Sequence, residues 1–191
     1  MTGRTHNLIA FASLVTAAAL FPPKSLNVLT LVGSVVAADI GALFPDMDQA
    51  GNNLWNLLPA SHSLGSILRR IFYKHRTITH SLVGLYLVYK GLGWLLPKFL
   101  NPSFVNPHLI LFSFLIGYVS HLAADSVTEE GLPLFFPINL NIGIPPIKSW
   151  RIKTGHWFEN VIVYPSVWIY LIWFIHDKRE VFVKILKLVS S

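Results

Sequence analysis

Five apolar stretches, at 8–20, 26–44, 80–96, 108–124 and 160–175, alternate with polar connections along the chain. A helix needs about 20 apolar residues to cross a bilayer, and each stretch predicts a membrane helix. Pro45 ends the second and Pro97 the third. Residues 64–73 follow another pattern. Leu64, Ile67, Leu68, Ile71 and Phe72 recur at helical spacing with Arg69 and Arg70 opposite, which predicts a short amphipathic helix on the membrane surface. The chain from about 177 is a basic, amphipathic tail. Residues 126–158 form a loop rich in Pro and Gly, in which Phe135, Phe136, Trp150 and Trp157 suit the headgroup layer. The first stretch follows Arg4 as a signal peptide would. It ends in Phe21-Pro22-Pro23-Lys24 without a small-residue cleavage site, so a retained helix is expected.

Two charges interrupt these stretches. Lys90 has a stem long enough to snorkel. Asp39 lies seven residues before Asp46, about two turns, so the two share a face if the helix continues. Asp39 then reads either as a carboxylate hydrogen-bonded inside the bundle or as support for a nearby site.

Composition turns apolar helices into a membrane protein. Of 191 residues, 53% are hydrophobic and 13% charged, where a soluble domain carries about 25% charged residues. The expectation is one all-α domain over 1–191, a polytopic integral membrane bundle with about five membrane segments. The absence of cysteine excludes disulfides and thiolate metal sites. The net charge of +6 sits in connections, without stacking aromatics interleaved. It points to anionic lipid headgroups, not nucleic acid.

Alternating five helices across a bilayer brings distant residues together. With the N-terminal side called A, His6, Asp46, Asp48, His75, His80, Asp125 and Glu159 all fall on side A, and His121 lies one turn inside it. Side B receives Lys24, Lys98, His108, His176 and the tail. Ionisable groups are costly near hydrocarbon, so their gathering predicts a site.

His121 and Asp125 are four apart, on one helical face, at the end of an apolar stretch. So placed they bind one metal, or the Asp bridges two. Asp46-Met-Asp48 after Pro45 gives two carboxylates that converge in an extended turn, one on metal and one on a water or a His ligand. In His75-Arg76-Thr77-Ile78-Thr79-His80, Thr79 is placed to cap the third helix, with His80 in its first turn and Arg76 suited to a phosphate. His156 and Glu159 share a face at the start of the fifth stretch, where the helix dipole alone accounts for Glu159. His62, His108 and His176 lack acidic or His neighbours and read as structural or surface groups. Imidazole with carboxylate and no sulfur favours zinc, with manganese or iron as alternatives.

Gly41-Ala-Leu-Phe-Pro45-Asp46-Met-Asp48, His75-Arg76-x-x-Thr79-His80-Ser81 and Gly117-Tyr118-x-Ser120-His121-x-x-x-Asp125-x-x-Thr128-x-x-Gly131-x-Pro133 together resemble the YdjM family of membrane-bound proteins, regarded as metal-dependent hydrolases. His6 and Glu159 fit the same pattern, which covers residues 6 to about 160. The family is held to be distantly similar to zinc phospholipase C and the zinc nucleases related to it. The resemblance implies zinc ligands at His6, Asp46 or Asp48, His75 or His80, His121, Asp125 and Glu159. Gln49 stands where family members often carry His, and His156 and Glu159 are three apart. Both departures point to one or two ions.

The resulting expectation is a hydrolase in the inner (cytoplasmic) membrane that cleaves a lipid or lipid-linked phosphoester with metal-activated water. His6, Asp46, His80, His121, Asp125 and Glu159 hold metal. Asp48, His75, Arg76 and Thr128 serve the reaction, with Arg76 and Thr128 on the phosphoryl charge. Lys and Arg are slightly more numerous on side A, which favours a cytoplasmic site. The rival readings are a metal or proton carrier, for which Asp39 and Lys90 speak, and a hydrolase of amides or carboxylic esters.

Overall fold

The computed structural model describes residues 1–48, 78–138 and 140–190. Among them are six α-helices: α1 (Gly3–Leu20), α2 (Val28–Leu43), α3 (Leu82–Phe99), α4 (Pro107–Ser126), α5 (Tyr164–Asp177) and α6 (Arg179–Ser190). All five apolar stretches and the amphipathic tail fold as helices. The amphipathic segment expected at 64–73 lies outside the described residues, as do His62, His75 and Arg76.

The boundaries follow local chemistry. Asn27 caps α2 by accepting the Thr30 N–H at 2.8 Å. Asn106 caps α4 by accepting the N–H groups of His108 and Leu109, and Pro107 opens the helix where no N–H donor is required. The third helix passes through Pro97 and ends at Phe99, beyond the expected stop. At the last turn a missing proline N–H forfeits only one hydrogen bond. The cap of α3 is Ser81, not Thr79. Its hydroxyl accepts the Gly84 N–H and donates to the Ile78 carbonyl, which leaves His80 in a 3₁₀ turn (Ile78–His80) just outside the helix. The fifth helix is entered through a wide π turn, Glu159–Val163. Pro165 follows at its first turn and has no N–H for a regular bond back to Val161.

The central helix is α4. Helices α1, α2 and α3 pack on it, and α5 packs on α1. Ile110, Phe114, Tyr118 and Leu122 of α4 form the main core with Ala37 and Leu132. The closest contact is α2 on α4, where two glycines meet backbone to backbone. A Cβ on Gly41 would stand 2.1 Å from the Phe114 carbonyl oxygen, and one on Gly117 2.0 Å from that of Ala38.

The outward surface is apolar as well. Val28, Val32 and Val36 on α2, Tyr86 and Trp94 on α3, and Ile169, Ile172 and Trp173 on α5 are exposed. Among the described residues one helix, α4 with 20 residues, is long and apolar enough by itself to cross a membrane; α2 is apolar but has 16 residues. Length and composition therefore carry one crossing and not five. Asp39 is also exposed, on the outer face of α2. The helix stops at Leu43, so Asp39 and Asp46 do not share a face.

The Gly117 contact predicts a cost. Gly117→Ala must push α2 from α4, and overpacking of this kind costs about 1–3 kcal/mol. The purified variant in detergent should melt roughly 2–10 °C lower than the parent. An unchanged melting temperature would mean the helices do not touch there.

Candidate metal centre

Four helix ends meet at one end of the bundle and carry the candidate ligands. His6 lies in the second turn of α1, Asp46 in the 3₁₀ turn Pro45–Asp48 after α2, His80 in the turn before α3, and His121 and Asp125 in the last turns of α4. Asp46, His80, His121 and Asp125 converge so that one ligand atom from each lies within 4.8 Å of the others. The Nε2 atom of His80 is 3.3 Å from Asp46 Oδ1 and 3.9 Å from Asp125 Oδ2. That of His121 is 3.6 Å and 3.7 Å from the same two oxygens. Ligands about 2.0–2.2 Å from a tetrahedral ion are separated by about 3.4 Å. The spacing therefore fits a single small divalent cation.

The surroundings aim these atoms inward. Both His80 and His121 are fully buried, as is Asp125, while the Asp46 side chain keeps 16% of its surface. His121 Nδ1–H donates to the Ala42 carbonyl at 2.6 Å, which turns the Nε2 lone pair toward the cluster. That carbonyl is in reach because Gly41 lets α2 approach α4. Tyr118 donates its hydroxyl to the Thr79 carbonyl and so ties the His80 turn to α4. Gly84 admits the turn from the other side, since a Cβ there would lie 1.9 Å from the Ile78 oxygen. His121 Nε2 is buried without a hydrogen-bond partner. A polar atom is costly to leave so, and a cation would satisfy it. Burial raises the Asp46 carboxyl, but the hydrogen bond from His80 and the charges of His121 and His80 outweigh it and hold it at about 2.

The other expected residues fall in several places. His6 stands beside the four-residue group and not in it. Its ring stacks on His121 at 3.7 Å and its Nε2 lies 3.2 Å from Asp125 Oδ1. Its other ring nitrogen, Nδ1, is buried without a hydrogen-bond partner. The Met1 amine is 2.5 Å from the same Asp125 oxygen. Asp125 thus turns Oδ2 to His80 and His121 and Oδ1 to His6.

Glu159 is in neither group, because its carboxylate is taken. It accepts the Thr2 N–H at 2.7 Å, the Thr2 hydroxyl at 2.8 Å and the Gly155 N–H at 2.8 Å. Burial raises its carboxyl, and these bonds with that of Thr5 hold it below the usual range. It fastens the start of α1 to the start of α5. Thr128 is also committed, donating to the Asp125 carbonyl at 2.8 Å and closing the end of α4. Asp48 ends the turn that carries Asp46. His156 is exposed.

Sequence reading assigned no role to Ala42 or Tyr118. A backbone carbonyl leaves no trace in the sequence. Tyr118 had a signal, because it lies three residues before His121 on the same face of α4.

Three outcomes follow. His121→Ala should lose its metal on purification, read by elemental analysis. Glu159→Gln should keep its metal but lose stability, since a hydrogen bond to a charged acceptor contributes about 1.5–3 kcal/mol. Loss of metal without loss of stability would make Glu159 a ligand. In the metal-free protein the depressed Asp46 carboxyl stabilises the fold above about pH 4, and that contribution disappears as pH falls through about 2. Asp46→Asn should therefore flatten the acid limb of the melting profile.

The chain has relatives of matching length. It is 28% identical over 163 residues to the uncharacterized protein YvsG of Bacillus subtilis (strain 168), covering 85% of this chain and 88% of that one. It is 24% identical over 151 residues to the inner membrane protein YdjM of Escherichia coli (strain K12), covering 76% and 68% respectively. No solved structure matches. The YdjM inner membrane protein family matches residues 1–188, nearly the whole chain, and the protein belongs to that family.

Proposed function

We propose that this chain is a multi-pass, metal-dependent hydrolase of the inner membrane, acting on the phosphoester of a lipid or lipid-linked substrate. The observation that carries the reading is the convergence of Asp46, His80, His121 and Asp125 at one end of an apolar bundle. Two carboxylates with neutral imidazoles suit a dication, zinc first and manganese or iron next. Such an ion supplies Lewis acidity and lowers the pKa of water. His6, with the second oxygen of Asp125, offers the start of a second position, so one or two ions are proposed.

The chain's own groups divide the work. His80, His121, Asp46 and Asp125 hold the charge of the site. Asp46 is its partly open edge, the side from which water and substrate arrive. Asp48, next in the same turn, is proposed to take the proton of the attacking water. His75 is proposed to protonate the leaving oxygen, and Arg76 to hold the phosphoryl group bidentately. Thr128 serves by fixing Asp125.

A site on side A, at headgroup depth and facing the cytoplasm, favours phosphoesters of lipids over soluble ones. The proposal retains five crossings, because the outward faces of α2, α3 and α5 are apolar and their ends gather the ligands on one side. A carrier would need a polar path through the bundle. Below the cluster α4 packs with Phe114, Leu111 and Ile110, which favours the enzyme.

The test is hydrolysis of a phospholipid panel by the purified, metal-loaded protein in mixed micelles. Activity should vanish with a chelator and return with zinc. His121→Ala should lower it by about 10³-fold or more. Metal-loaded protein that leaves every phosphoester uncut, yet cuts an amide or carboxylic ester, would overturn the substrate class.

A further inference from the structure

We propose that a cleft floored by α1, between α4 and α5, holds one acyl chain of a phospholipid whose phosphate faces the metal-ligand cluster. The proposal rests on the hydrolase reading above and deepens it by saying how the substrate is held.

Helices α4 and α5 each pack against α1 and scarcely against one another. One side of α1 is left as the floor of a trough. Ser13 and Ala17 lie at its centre and belong to both halves. The half toward α5 encloses about 790 Å³ and begins at Ile9, Phe158 and Ile162. The half toward α4 encloses about 430 Å³ and reaches Ser120 and Ala123, which flank His121 in the sequence. At 3.6 residues per turn His6, Ser13, Ala17 and Leu20 fall on one stripe of α1, so the trough starts about one turn beneath His6. From Ile9 to Leu20 it runs about 16 Å at 1.5 Å per residue. Its depth comes from small side chains on all three helices: Ser13 and Ala17 of α1, Ser120 and Ala123 of α4, and Ser166 of α5.

The mouth supplies the charge that a phospholipid requires. Lys153 and His156 are exposed just before α5, and Trp157 and Phe158 follow them. Cationic and aromatic groups above an apolar channel complement an anionic phosphate above a hydrocarbon chain. None of the residues lining the trough is charged, so hydrocarbon fills it without stranding a charge.

Photolabelling tests this with the full chain, in vesicles of phosphatidylethanolamine and phosphatidylglycerol containing a phospholipid with a diazirine on its acyl chain. Label should concentrate on peptides covering 9–20 and 158–170, several-fold above the exposed α2 face. Ala17→Trp fills the trough and should remove that excess. It should also cut hydrolysis of the long-chain phospholipid about tenfold while sparing a water-soluble phosphoester, because binding energy from the remote chain is lost. Ser166→Phe, from the opposite wall, gives the same readout if Ala17→Trp does not fold. Equal labelling of α1 and α2, labelling undiminished in both variants, or crosslinks joining two copies through Ser13 would each overturn the proposal. If the parent cuts no phosphoester, the hydrolase reading falls, and the labelling still decides the cleft.

Discussion

Two carboxylates, Asp46 and Asp125, share one buried end of an apolar bundle, and the rest of the fold answers to that constraint. Like charges this close repel, and water is largely kept from them. The chain surrounds them with three imidazoles, His6, His80 and His121, and the Met1 amine. None of these partners is local except His121. They come from three helix ends, the starts of α1 and α3 and the end of α4, so the helices must be held in register to within a hydrogen bond. Gly41, Gly84 and Gly117 do this by letting backbone approach backbone, where any side chain would hold the elements apart. Close backbone packing thus surrounds the buried carboxylates.

The fold was largely legible because long apolar runs bounded by proline and polar connections favour helices, whose backbone groups satisfy one another, and all five runs became helices. Boundaries were less legible where two signals competed. Thr79 and Ser81 are both acceptable caps, and only the packing of the turn under Gly84 selects Ser81. Pro97 reads as a stop in sequence, yet a proline in the last turn is tolerated. The number of crossings was the least legible feature. Apolar outward faces are equally suited to lipid and to neighbouring helices, and length distinguishes only α4.

The site shows the same division. His80, His121, Asp46 and Asp125 were expected together from the ends of the apolar stretches on which they sit, and they gather at one end of the bundle. Glu159 was expected as a ligand by the same reasoning, and it stands outside the four-residue group. What separates it from Asp125 is the supply of donors. Thr2, Thr5 and Gly155 present hydrogen to Glu159, and a carboxylate saturated in this way has little to offer a cation. Sequence records which residues can be ligands but not which have already been satisfied by backbone N–H groups.

Asp39 and Asp46 make the contrast sharpest. They are seven residues apart, of the same chemistry, on either side of the end of α2. Had α2 continued, both would have faced the same way, and a ligand at Asp46 would have brought Asp39 with it. Pro45 permits a 3₁₀ turn that swings Asp46 inward beneath α4, while the helix before it keeps Asp39 on the outer face. The cluster therefore depends on where α2 stops as much as on which acids it carries. Extending the helix through this turn would move Asp46 out of reach of both His80 and His121. With α2 unbroken, His80, His121 and Asp125 would be left without their fourth partner.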